Sequence, residues 1–281
     1  MRRPRIPAPY LLSLPLLVFL AAYFLLPVGT MMLLAATPDT GPHWFTLDRF
    51  ATILGDPYDR GLILRTLRVS LATTAASLLM AYPVALLLCR LTTRAQAILV
   101  LIMVSPLLTS VVVRTLAWLV LLSRQGIINQ ALGALGLPQV QLIYTETGVV
   151  IGLTHVFFGY MVISLFTALR RIDANLYAAA ANLGASRWRM FSEVTLPLSL
   201  PGVLAGCLLV FTLSASAYAT PSLLGGSRAS VFPVEIYNLA IQQLAWGDAA
   251  AAATILFILI AVVAGVTTRS VESGRRRVIF Q

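Results

Sequence analysis

An all-helical, polytopic membrane bundle of six spans is the fold class this sequence predicts, on three observations. Of its 281 residues 59% are hydrophobic and 11% charged, with a mean hydropathy of +0.89, whereas a soluble domain carries about 25% charge. Six uncharged windows each approach or exceed the roughly 20 residues that a helix needs to cross the hydrocarbon core. The 20 basic residues are all arginine and fall between the apolar runs. This balance excludes a soluble enzyme, a disordered regulator and a secreted disulfide scaffold. The pI is about 10.4, yet the arginines form no single patch, so no nucleic-acid partner is implied. Cys89 and Cys207 lie in or at the end of apolar runs and read as core thiols rather than a disulfide or a metal pair.

The spans follow from the windows in order, near residues 10–33, 68–89, 95–118, 147–169, 200–220 and 249–268. The first follows Arg2, Arg3 and Arg5 like a signal peptide, but it outruns an apolar signal region of about 7–15 residues and reads as a retained span. Pro15, Pro27, Pro83 and Pro106 interrupt spans 1 to 3, which membrane helices tolerate where neighbours re-satisfy the backbone. Residues 124–146 are uncharged between their ends but too rich in Gln, Asn and Pro to cross, and read as a loop with a short helix. Span 5 opens with Gly202 and Gly206, a spacing that favours close intrachain helix packing over a dimer seam.

Arginine sets the direction. The N-terminus, the loops after spans 2 and 4 and the tail hold 13 arginines; the opposite segments hold 6, and Arg114 lies in or at the edge of span 3. This asymmetry predicts a multi-pass protein with both termini in the cytoplasm.

The cytoplasmic loop 170–201 is the informative segment. Helix formers run from Leu176 to Leu183, and Gly184 supplies the backbone freedom that ends a helix. Ser186 is placed to cap a second helix to about Val194, Pro197 to stop it, and Pro201 to start span 5. The expected product is a projecting helix–glycine–helix knob.

The run Tyr177-Ala-Ala-Ala-Ala-Asn-Leu-Gly184-Ala-Ser, with Phe191 and Leu196-Pro-Leu-Ser-Leu-Pro201-Gly202, resembles the signature loop of ABC importer permeases. Ser105 to Trp118, Gly126 to Asn129 and Ser216 to Gly226 look like the polyamine-type branch. The resemblance implies a type I importer permease fold. It implies an ATPase-coupling surface at Ala178, Ala179, Ala180, Leu183, Gly184, Ala185, Ser186 and Arg187, with Ala178 standing where the family usually has glutamate. It also implies the partners: a second permease, two ATPase subunits holding ATP and Mg, and an external solute-binding protein, all in membrane lipid. No cofactor or metal is expected on this chain, which has no phosphate loop, no His-Glu-x-x-His and no intramembrane carboxylate pair.

Polar or small residues in the spans mark where a solute could pass. Span 2 has Ser70, Thr73, Thr74 and Ser77 at helical spacing; span 5 has Thr212, Ser216 and Thr220; span 4 has Gly152, His155 and Gly159. Path lining and interhelical hydrogen bonding are equal readings of these stripes. Trp118, Tyr160, Tyr218 and Glu235 complete the path candidates. Trp118 reads first as an interfacial anchor, His155 as a structural hydrogen-bonding group, and Arg114 as a side chain snorkelling to the outer interface. Glu146, Glu235 and Asp248 are placed to gather cations at the outer mouth, while no acid lies within a span and Ala217 stands where polyamine carriers usually have a carboxylate. The expected solute is small, polar and organic, with a polyamine first and a zwitterion or smaller amine next. A proton-coupled carrier or an intramembrane enzyme relaying protons through His155 is the rival class.

Overall fold

A computed structural model describes residues 15–38 and 45–279, with side chains to Arg269. The described residues are helical and contain no strand. Six helices are long and apolar enough to cross a membrane: Pro15–Ala36, Pro57–Leu88, Val111–Ala134, Glu146–Leu169, Arg187–Ala215 and Trp246–Arg269. In chain order we label α1 (Pro15–Ala36), α2 (Asp48–Gly55), α3 (Pro57–Leu88), α4 (Thr93–Leu108), α5 (Val111–Leu122), α6 (Ile127–Ala134), α7 (Glu146–Leu169), α8 (Ala174–Asn182), α9 (Arg187–Ala215), α10 (Ala219–Leu224), α11 (Phe232–Tyr237) and α12 (Trp246–Ile279).

Several boundaries differ from the sequence reading, each for a local reason. Residues 10–14 of span 1 lie outside the described residues, as do the N-terminal arginines. Span 2 begins at Pro57, where a missing N–H costs a helix nothing, so Arg60, Arg65 and Arg68 sit on the helix itself. Span 3 is not one rod. It breaks into α4 and α5 at Thr109 and Ser110, both with extended ψ, just beyond Pro106 and before a run of three valines that gain little from helix. Span 5 starts earlier and stops sooner: Pro197 does not end a helix, because α9 runs unbroken from Arg187 and breaks after Ala215.

The accommodation of Pro197 has a twin. Phe191–Thr195 and Ala21–Leu25 are π-helical turns, each followed directly by Leu-Pro. The Leu196 N–H reaches Phe191 O, and the Leu26 N–H reaches Ala21 O, both one residue further back than in an α-helix. A proline ring collides with the carbonyl four residues behind it, and the wider turn moves that carbonyl aside.

The chain divides into two compact units, one of residues 1–60 and 236–258 and the other of 61–235 and 259–281. In the first, Arg49 pairs with Asp248 at 3.2 Å and donates to Leu34 O at 3.0 Å, taking up a carbonyl left open at the end of α1. In the second, α7 is the central helix. One apolar cluster joins Ala81, Ala85 and Leu88 of α3 to Met161, Val162, Leu165 and Leu169 of α7 and Val210 of α9. A second joins Val69 to Leu122, Val149, Leu153, Leu224 and Val231. Lipid is as apolar as leucine, so close packing has to hold such helices together. Gly202 and Gly206 provide it: a Cβ at either would press on α7, at Ala168 and Ser164 for the first and Met161 and Ser164 for the second. Ser164 Oγ donates to Gly202 O at 3.0 Å across the same seam. The glycine pair thus serves intrachain packing.

Candidate functional site: a projecting loop and a polar layer

The loop after α7 is built by capping. Asp173 accepts the Asn175 N–H at 2.9 Å and starts α8. Gly184 ends it at φ +76°, with the Gly184 N–H on Ala181 O at 2.9 Å and the Ala185 N–H on Ala180 O at 3.0 Å. This paired return closes the helix through a left-handed residue. Ser186 then accepts the Arg189 N–H at 3.3 Å and opens α9. The chain turns within Leu183–Ala185, so the eight predicted residues between Ala178 and Arg187 fall on one knob, made of the end of α8, the turn and the start of α9. A Cβ at Gly184 would meet nothing within 4 Å. Leu183 is 88% and Trp188 74% exposed, two large apolar side chains at its tip.

Tyr177 and Phe191, both in the signature run, tie this knob to the bundle together with Tyr82, to which the sequence reading gave no role. Tyr177 hydrogen-bonds Thr195 at 3.2 Å, Tyr82 of α3 hydrogen-bonds Ser199 at 2.8 Å, and the Tyr82 ring meets Phe191 edge-on at 5.8 Å. A lone tyrosine hydroxyl near the end of an apolar span was the available signal, because a buried phenol needs a partner.

Inside the bundle the predicted stripes separate. Ser70 donates to Thr66 O and Thr74 to Ser70 O, both at 2.7 Å, so those hydroxyls are spent on their own helix. Thr73 and Ser77, wholly buried, hydrogen-bond nothing among the described residues, and the same holds for Thr154 of α7 and Ser214 of α9. On α3 the unpaired hydroxyls fall between Val69 and Ala81, and on α7 between Leu153 and Met161, so they lie between the two apolar clusters. Each unpaired buried hydroxyl costs about 1–3 kcal/mol. The span 5 stripe is cut: Ser216, exposed past the break, bonds back to Thr212 O at 2.9 Å, while Thr220 sits on α10 facing Thr115 at 3.4 Å. On α7 the glycines are contact points rather than open lining, since a Cβ at Gly152 would strike Leu224 and Thr220, and one at Gly159 the Met103 carbonyl.

His155 is brought to Trp118, whose indole N–H donates to Nδ1 at 3.3 Å in an edge-on stack of 5.4 Å. With Thr154, Met80 and Phe158 they line a cavity of about 430 Å³. Tyr160 is half-buried beside Phe157, at 6.5 Å between rings. Tyr218 and Glu235 are half-buried and each has a partner. Arg114 does not snorkel. With α4 and α5 broken apart it is 9% exposed and donates to Pro106 O, taking up a carbonyl orphaned at the end of α4. Its Nε hydrogen-bonds nothing among the described residues.

Two of the three carboxylates read as gathering cations are paired within the chain: Glu146 holds Arg65 at 3.1 Å and Arg68 at 3.0 Å, and Asp248 holds Arg49.

A family model described as binding-protein-dependent transport system inner membrane component matches residues 70–277. The spermidine/putrescine transport system permease protein PotB of Escherichia coli (strain K12) is 30% identical over 230 residues, 80% of this chain and 83% of that one. The molybdenum transport system permease protein ModB of Mycobacterium bovis is 34% identical over 227 residues, 79% of this chain and 84% of that one. In the crystal structure of a bacterial alginate ABC transporter in complex with an alginate pentasaccharide-bound periplasmic protein, a chain superposes with a TM-score of 0.72 at 19% identity. That superposition covers 92% of this chain and 91% of the other, and it speaks to the fold. The matched residues take in the knob, both apolar clusters and the layer between them, and the chain belongs to the binding-protein-dependent transport system inner membrane components, the permeases of ABC importers.

Proposed function

We propose that this permease couples to a separate ATPase through the knob of α8 and the start of α9, and that it carries a small polar organic solute, a polyamine first, into the cytoplasm. The observation that carries the coupling role is the pair of exposed apolar side chains, Leu183 and Trp188, on a tightly capped turn with open space at Gly184. Exposed apolar tips on a rigid projection suit a protein partner. ATP and Mg belong on that ATPase, the second permease completes the pathway, and an external binding protein delivers the solute. Both termini lie in the cytoplasm, on the side of the knob, a reading that rests on the arginine asymmetry.

Support for a polyamine comes from the relatives named for spermidine and putrescine. Burying a polycation needs counter-charge, and the carboxylates of this chain's spanning helices lie only near their starts, so the partner permease supplies the carboxylates. A specific observation favours a second reading: Arg114 is buried, and its Nε hydrogen-bonds nothing among the described residues. That setting suits a solute with a negative group, zwitterion or oxyanion. The deciding measurement is stimulation of the assembled transporter's ATPase, with its own binding protein, by spermidine, putrescine, a neutral amino acid and molybdate. Several-fold stimulation by a polyamine alone is expected. Stimulation by molybdate or the amino acid alone overturns the polyamine assignment in favour of the second reading.

A further inference from the structure

A cavity of about 660 Å³ opens where α3, α7, α8 and α9 meet, and its walls include Arg90, Arg170 and Arg187. Arg90 follows the end of α3, Arg170 caps α7, and Arg187 opens α9. No carboxylate lines the cavity. Among the described residues none of the three forms an ion pair, the neighbouring Glu193 being taken by Arg189 at 3.0 Å. Arg170 lies over the Phe166 ring at 5.9 Å, which steadies its guanidinium. The remaining walls are mostly apolar, with Leu86, Leu169 and Phe191 among them, and the Tyr177 and Thr195 hydroxyls there bond each other.

Three arginines around one cavity favour an anion, and their planar forks favour one with several oxygens, as a phosphate has. A free phosphate would satisfy the arginines yet leave the leucine and phenylalanine walls facing water. A ligand with a phosphate at one end and methylenes next to it satisfies both. The cavity also sits at the ends of α3 and α7, two helices long and apolar enough to cross a membrane, and the ends of such helices meet the headgroup layer. We propose that it is a binding site for an anionic phospholipid, with the phosphate on Arg90, Arg170 and Arg187 and the glycerol and first methylenes against Leu86, Leu169 and Phe191. The lipid would bridge the knob to the ends of α3 and α7. The inference needs only that α3 and α7 end at the membrane interface, and it stands apart from the coupling role and from the substrate.

The test uses the full-length protein, purified in detergent and incubated with equal amounts of phosphatidylglycerol and phosphatidylcholine, with bound lipid counted by native mass spectrometry. The wild type is expected to enrich phosphatidylglycerol, and each of Arg90→Gln, Arg170→Gln and Arg187→Gln to lower that enrichment about fivefold. Arginine-to-lysine variants keep the charge and lose the fork, so they fall between. Arg124→Gln and Arg228→Gln, exposed arginines outside the cavity, leave the enrichment unchanged. Equal retention of the two lipids overturns the proposal, as does an equal loss in the Arg124 and Arg228 variants. Displacement of phosphatidylglycerol by millimolar inorganic phosphate overturns it in favour of a free-anion site. Displacement on adding the ATPase subunit overturns it in favour of a seat for an acidic side chain of that partner. Because the readout is lipid binding, it can fail while coupling holds, and the reverse.

Discussion

Helices α3 and α7 run side by side in the same direction, and their two ends are built differently. At their starts Arg65 and Arg68 converge on Glu146, so each charge meets its opposite within the chain. At their finishes Arg90 and Arg170 stand over a cavity with no carboxylate. The first end is closed on itself and fixes the register of the two helices. The second leaves charge and apolar surface to be satisfied from outside the chain. The knob grows from that second end, so the part of the molecule proposed to meet the ATPase is also the part where Arg90, Arg170 and Arg187 form no ion pair among the described residues.

The contrast is broken most severely at Gly184. A proline there cannot reach φ +76°, so Gly184→Pro should reduce uptake by the assembled transporter more than tenfold while the chain still inserts. Co-purification of the ATPase with the variant reads the coupling directly, and normal uptake with the ATPase retained would sink the coupling role. Sidedness comes next. In a background lacking Cys89 and Cys207, Gln125→Cys on the loop before α6 should be labelled in intact cells by a thiol reagent that cannot cross the membrane. Thr92→Cys, before α4, should react only after the cells are opened, and the opposite pattern inverts the topology. Gly226 is a poor labelling site, because a Cβ there would meet the Tyr144 ring at 2.8 Å. The smallest effect sharpens the comparison itself. Glu146→Gln leaves two arginines unmatched and should cost about 1 kcal/mol, a part-exposed pair being worth little more. A thermal melt in detergent should therefore show a Tm a few degrees lower. Arg90→Gln should shift it by less than half as much, and equal shifts would mean that the two ends are not different in kind.

The knob was legible because its signals are local. Gly184 and Ser186 each act within three residues of themselves, and capping does not depend on the rest of the fold, though the Asp173 cap of α8 went unread. The span count was legible for a similar reason, since lipid imposes a minimum length. Proline was not. Pro106 precedes a break whereas Pro197 sits inside a continuous helix, and the difference lies in the neighbours: Arg114 takes up the freed Pro106 carbonyl, and a π turn makes room for Pro197. The burial of Arg114 was hidden for the same reason, because a straight span 3 would have carried it to the interface. The unpaired hydroxyls of Thr73, Ser77, Thr154 and Ser214 were half visible. Their residue types sit on the expected helices, but only packing separates them from Ser70 and Thr74, which are spent on their own backbone.

The absence of a stop at Pro197 has a mechanical consequence. From Arg187 to Ala215 the chain is one continuous helix of 29 residues, about 43 Å long, in which the knob's second half and a membrane span are a single strut. Its irregular points are the π turn at Phe191–Thr195 and the prolines at 197 and 201. Non-helical residues flank it, Leu183–Ala185 on one side and Ser216–Tyr218 on the other. A displacement delivered at the knob would travel along this helix toward Ser214, in the layer of unpaired hydroxyls, with bending confined to the π turn and the flanking residues.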